Sequence, residues 1–133
     1  MTSDIPLDFD LSSLVGCEVS SITVARHAVY VNWWTDAYRD GAQIRIDGRW
    51  ELLDGEVVID RGTGHDDAGE RPDPLYLHRI IGRAVTGWSI DGPTAFIVRF
   101  DGGLALRVSD DSRGQYEWTH VKLAGDASEC WHL

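Results

Sequence analysis

Seven side chains of this sequence are of the types that can ligate a soft metal or relay a proton: His27, His65, His78, His120, His132, Cys17 and Cys130. No two of the histidines stand four apart, so no helix face offers a ready ligand pair. Cys130 and His132 lie two apart, which places both on one face of a strand. With Cys17 and one more histidine they would make a zinc site. Zinc needs a converging ligand set that this spacing does not supply, and a small buried thiol with a terminal histidine accounts for the pair. His78 is read as capping or lining a short helix. Acyl transfer fares no better. Gly87-Trp88-Ser89-Ile90-Asp91 lacks the last glycine of a nucleophile elbow, and Ser89 falls inside a strand. Gly62-Thr63-Gly64 has too few glycines to cradle a dinucleotide, and the acids after it would repel pyrophosphate. Asp66, Asp67, Glu70 and Asp73 lack the spacing of a calcium loop. The carboxylates Asp47, Asp54, Asp91, Asp101, Asp110 and Asp111 fall in turns, where aspartate is placed by its own backbone hydrogen bonds. No catalytic residue, metal or cofactor is assigned, and the reading leans away from an enzyme.

Charge and aromatic content point to binding instead. Twenty-two acids face 12 bases, for a formal charge of −10. Such a surface repels phosphate backbones and anionic lipid, so neither nucleic acid nor a membrane surface is expected as a partner. A basic protein is the electrostatic complement. Six tryptophans are present. Trp33 and Trp34 are adjacent on a strand and point to opposite faces. With Trp33 in the core, Trp34 joins Asp36, Tyr38 and Asp40 in an aromatic, acidic patch. Tryptophan and tyrosine dominate binding hot spots. The candidate partner-binding residues are therefore Trp34, Asp36, Tyr38, Asp40, the loop acids Asp66, Asp67 and Glu70, and Trp118.

The elements that must position these residues come in two copies. Leu14-Val15-Gly16-Cys17-Glu18-Val19-Ser20-Ser21-Ile22-Thr23-Val24 reappears at constant offset as Ile80-Ile81-Gly82-Arg83-Ala84-Val85-Thr86-Gly87-Trp88-Ser89-Ile90. Each copy opens on a short helical turn. In the second, Asp73 caps, Pro74 takes the first helical position and Gly82 ends the turn. A strand follows whose alternation slips once, which implies a bulge, at Gly87 in the second copy. The next strands, 28–34 and 95–100, bury Val29, Val31 and Trp33, and Phe96, Val98 and Phe100. Strands 42–47 and 104–108 bury Ala42, Ile44 and Ile46, and Leu104, Leu106 and Val108. Gln43, Arg45, Ala105 and Arg107 face water between them. Asp101-Gly102 is a hairpin turn, and Asp54-Gly55 joins a further hairpin, 50–53 with 56–59. A last strand spans 115–123.

The predicted fold is mainly β, of α+β class. It is a single domain over 1–133 with pseudo-repeats at about 10–60 and 74–123, a polar loop at 61–73 and a tail at 124–133. The two antiparallel units, each a short helix plus about three strands, pack on one core. At this length a domain buries roughly two thirds of its unfolded surface and needs no disulfide or metal. The acidic N-terminus lacks the basic and apolar regions of a signal peptide, no apolar run is long enough to span a bilayer, and two cysteines make no disulfide scaffold, so a cytoplasmic setting is expected.

Three stretches, Leu77-His78-Arg79-Ile80-Ile81-Gly82-Arg83-Ala84-Val85, Phe100-Asp101-Gly102-Gly103-Leu104-Ala105-Leu106-Arg107-Val108 and Tyr116-Glu117-Trp118, carry a resemblance. The chain resembles an uncharacterised family of small actinobacterial domains with a Phe-Asp-Gly-x-Leu strand and a Tyr-Glu-(x)-Trp motif. The resemblance implies a fold over most of 14–123 and carries no activity to transfer.

The function expected first is a non-catalytic protein-binding module, and within that class an acidic immunity protein that neutralises a co-encoded bacterial toxin. The alternatives are a small-ligand-binding protein or enzyme with a pocket between the halves, and a structural or accessory homodimer joined through an outer face of Ala28, Tyr30 and Trp34.

Overall fold

A computed structural model of the chain describes residues 5, 9–25, 28–33, 42–46, 49–63, 77–109, 119–122 and 130–132. Among them ten strands run in chain order: β1 Val19–Val24, β2 Val29–Trp33, β3 Gln43–Ile46, β4 Arg49–Asp54, β5 Val57–Thr63, β6 Val85–Ile90, β7 Ala95–Phe100, β8 Leu104–Ser109, β9 Thr119–Lys122 and β10 Cys130–His132. They form two five-stranded antiparallel sheets, one in the order β1-β2-β3-β9-β10 and one in the order β5-β4-β8-β7-β6. The chain is mainly β, as its alternating apolar pattern requires.

The helical elements among the described residues are three 3-10 turns, Ser12–Leu14, Leu77–Ile80 and Asp101–Gly103. Asp73 and Pro74, the expected cap and first helical residue, lie outside the described residues. The first turn is braced by Asp10. Its Oδ1 accepts the Ser12 backbone N–H at 2.8 Å and also the Ser12 hydroxyl. These two hydrogen bonds hold the Asp10 carboxyl below the usual aspartate range.

Both bulges appear where the alternation slips. The β1–β2 register shifts between Val19 and Ser21, and the β6–β7 register shifts between Val85 and Gly87. In the first, the extra residue Ser20 turns its hydroxyl to the Asn32 carbonyl at 3.0 Å. The strands that follow bury the residues expected of them: Val31, Ile44, Ile46, Val98 and Leu106 are fully enclosed, with Trp33 and Phe96 beside them. Residues of both sheets belong to one apolar cluster, so the two inner faces share a core. Phe9 packs on Phe96 and meets Trp88 edge-on, at centroid distances of 5.2 and 5.8 Å.

Ile90, the counterpart of Val24, is half exposed on the edge strand β6. Gln43, Arg45, Ala105 and Arg107 alternate with buried residues and lie on the outer faces, where they are half-buried. Ala28 is buried and so belongs to no outer face.

A different feature joins the sheets. The segments that precede β1 and β6 run into each other. The Gly16 N–H donates to the Val85 carbonyl at 2.8 Å, and the matching Gly82 N–H donates to the Val19 carbonyl at 2.8 Å. The Val19 N–H reaches the Arg83 carbonyl at 3.0 Å, and the Val85 N–H reaches the Cys17 carbonyl at 3.0 Å. Glu18 and Ala84, which occupy the same place in the two copies, face each other across this crossing. Every bond has its counterpart with the copies exchanged, which is the pattern of a local twofold axis. Gly16 and Gly82 make it possible: both sit at positive φ, 89° and 81°, and end their 3-10 turns there. Left-handed backbone is costly for a residue with a Cβ.

Two measurements check these local devices. Gly16→Ala and Gly82→Ala each meet open space, so the cost is conformational alone. Each should lower stability by about 1 kcal/mol in urea unfolding, and an unchanged midpoint would mean the glycine is not needed. Because the folded Asp10 value lies below the unfolded one, its contribution is complete above the unfolded value near 3.8 and is lost as pH falls through the folded value. Carboxyl NMR should find Asp10 ionised below the ordinary aspartate range, and Ser12→Ala, which removes the hydroxyl bond and leaves the backbone one, should move it part of the way back.

Candidate functional site

None of the eight residues assigned to a partner surface, Trp34, Asp36, Tyr38, Asp40, Asp66, Asp67, Glu70 and Trp118, lies among the described residues. The cysteine and histidine side chains can be followed further. Cys17 is half-buried, and its thiol donates to the Ser13 carbonyl at 3.5 Å, one turn back. His78 is exposed on the second 3-10 turn. In backbone register His132 stands opposite His120, and Cys130 opposite Lys122. Among the described residues no group of three His, Cys, Asp or Glu side chains converges on a point that would hold a metal. Ser89 sits inside β6, as its sequence context implies.

The outer faces of the two sheets differ in chemistry. On the first, short neutral side chains bond across the strands. Asn32 Nδ2 donates to Thr23 Oγ1 at 3.0 Å and to Ser21 Oγ at 3.1 Å, and Gln43 Nε2 donates to Asn32 Oδ1 at 2.8 Å. The Arg45 guanidinium lies 5.8 Å from the Tyr30 ring centroid, within cation–π range.

The second outer face is charged. Glu51 on β4 has Arg61 opposite it on β5 and Arg107 opposite it on β8. Arg107 Nη1 donates to Glu51 Oε1 at 3.1 Å, and Arg107 Nε donates to Asp91 Oδ2 at 2.6 Å. The Asp91 bond is the larger reason that the arginine holds its proton even more firmly than usual. Burial works against it, and Glu51 adds to it. One row along, Arg49 stands opposite Ser109 on one side and Thr63 on the other. Arg49, Trp50, Glu51, Arg61, Gly62, Arg107 and Ser109 line a groove of about 410 Å³. Trp50 lies beneath it, fully buried in the core.

This groove is the candidate site, and it was not singled out from the sequence. Glu51 and Arg107 are 56 positions apart, and only the pairing of β4 with β8 brings them together. The available signal was charge at alternate positions, Arg49 and Glu51, on a strand whose intervening residues are apolar.

Compared with known protein families, curated proteins and solved structures, the chain matches none. No helix among the described residues is long and apolar enough to cross a membrane.

Arg107→Gln removes both ion pairs. All three partners are partly exposed, so solvent screening limits the effect, and unfolding should show a loss of about 1 kcal/mol or less. A double-mutant cycle with Glu51→Gln should return a positive coupling that shrinks in high salt. A coupling of zero at low salt would mean that the pair does not hold Arg107.

Proposed function

We propose that this chain is a non-catalytic protein-binding module of the cytoplasm, and within that class an acidic immunity protein that neutralises a co-encoded toxin. The observation that carries the reading is the charge of −10 on a chain of 133 residues, with polar and charged side chains bonded across strands on the outer faces of both sheets. A field of that sign speeds encounter with a basic protein and discourages nucleic acid. Polar side chains tied across strands, such as Asn32 with Gln43 and Arg107 with Glu51, support it further. A surface that is already ordered loses less entropy when a partner docks.

The tryptophans divide in a way that suits this role. Trp33 and Trp50 are core residues, and Trp88 is half-buried against Phe9. Trp34 and Trp118 are the aromatic anchors assigned to the partner, and Asp36, Tyr38, Asp40, Asp66, Asp67 and Glu70 are the other residues assigned to it. The chain is read with this as one domain of two repeated units, about 10–60 and 74–123, each a short helical turn and about three strands. The matched bulges and the matched hydrogen bonds of Gly16 and Gly82 support that division.

Co-expression tests the proposal. The product of the neighbouring reading frame, expressed alone in a laboratory host, should arrest growth. This chain should restore growth and co-purify with that product at fixed stoichiometry. Trp34→Ala should weaken the complex about 30-fold, as loss of a hot-spot anchor does. A harmless neighbour, or a toxic one that this chain neither binds nor silences, would sink the immunity reading.

A further inference from the structure

We propose that the groove on the outer face of the second sheet is a binding site for a small ligand bearing an oxyanion, a carboxylate or a phosphate group. The inference is independent of the protein-binding proposal. Arg107 is its fixed part. Two of its N–H groups are held by Asp91 and Glu51. A guanidinium has five N–H donors, so three are not committed to described residues. Those two bonds favour one orientation of the side chain, which lowers the ordering cost that a ligand would otherwise bear.

Arg61 supplies the second cation. It is exposed, and its backbone N–H is bound to Asp60 Oδ1 at 2.9 Å, which steadies the strand beneath it. Its cross-strand neighbour Glu51 gives Oε1 to Arg107 instead. Neighbouring strands lie about 4.8 Å apart, so Arg61 and Arg107 flank Glu51 with about 10 Å between their backbones. Two arginine side chains close that distance over a group with several oxygens, and the planar guanidinium matches carboxylate and phosphate edge to edge. Ser109 adds a hydroxyl on the adjoining row, and Gly62 adds no side chain that would fill the groove. At about 410 Å³ the space exceeds a bare inorganic anion and fits an oxyanion on a small organic body.

The setting makes this placement informative. The whole chain has 12 basic residues against 22 acids, and three of the seven groove residues are arginine. The protein's overall field repels anions, so attraction here is short-range contact rather than general charge. Salt screens the long-range repulsion as well as the attraction, so binding should depend only weakly on ionic strength.

The test uses the full chain labelled with 15N-arginine. The Nε–H resonances are followed while inorganic phosphate is added in one arm and succinate in the other. At least one arm should give saturable shifts of Arg61 and Arg107, with Arg99, exposed on the same sheet outside the groove, unmoved. The arm that saturates at lower concentration names the oxyanion. Arg61→Gln changes an exposed side chain and should weaken that binding about tenfold or more. Linear shifts in both arms, equal movement of Arg99, or unaltered saturation in Arg61→Gln would each overturn the proposal.

Discussion

The backbone hydrogen bonds exchanged between residues 16–19 and 82–85 tie the starting edges of the two sheets to each other, and the rest of the molecule is arranged around them. They need two segments that approach antiparallel to within one peptide of each other. Each segment must therefore leave its 3-10 turn sharply, which Gly16 and Gly82 allow at positive φ. Each must also re-enter a strand out of phase with the regular pleat. The bulges after Val19 and Val85 absorb that mismatch, so the irregularity in the alternation follows from the crossing. Leu14 and Ile80 fill the core just before it, and Val19 and Val85 just after it.

The second consequence of this arrangement is an exchange. Each sheet begins with three strands from one part of the chain and is completed by a hairpin from the other: β9 and β10 beside β3, and β4 and β5 beside β8. The inner faces of the two sheets stay alike, because both meet the same apolar core. The outer faces do not, because the completing hairpins differ in sequence. Arg45 and Arg107 hold corresponding places on β3 and β8. Arg45 lies over Tyr30, while Arg107 is drawn to Glu51 and Asp91. The groove exists only where an arginine from the later part of the chain meets a glutamate and two arginines from the earlier hairpin.

The proposed protein binding and the proposed anion binding would make different demands on this scaffold. The first would use an extended surface and a long-range negative field. The second would use local arginine contacts around Arg107. A rigid sheet can carry both, since successive side chains on a strand point to opposite faces and the outer set is free to vary without disturbing the inner one.

The core was legible because burial imposes a period. Val29, Val31 and Trp33 on one strand, and Leu104, Leu106 and Val108 on another, can all be buried only if their strands alternate. The turns at Asp54-Gly55 and Asp101-Gly102 were legible because glycine tolerates the positive φ found at Gly55 and Gly102. Even the bulges left a trace, as a slip repeated at the same place in both copies. Strand partnership left none. Val121 is apolar and buried beside Ile44, but the same pattern would have served beside several other strands. Alternation tells a strand which face is inward and says nothing about which edge it joins, because backbone hydrogen bonds are the same for every sequence. Local patterning by itself therefore determined most strands, their turns and their buried faces, but it left Cys130–His132 in a tail where the structure has β10. Only the tertiary structure decided that the hairpins cross between sheets, and with that which charges meet across Glu51.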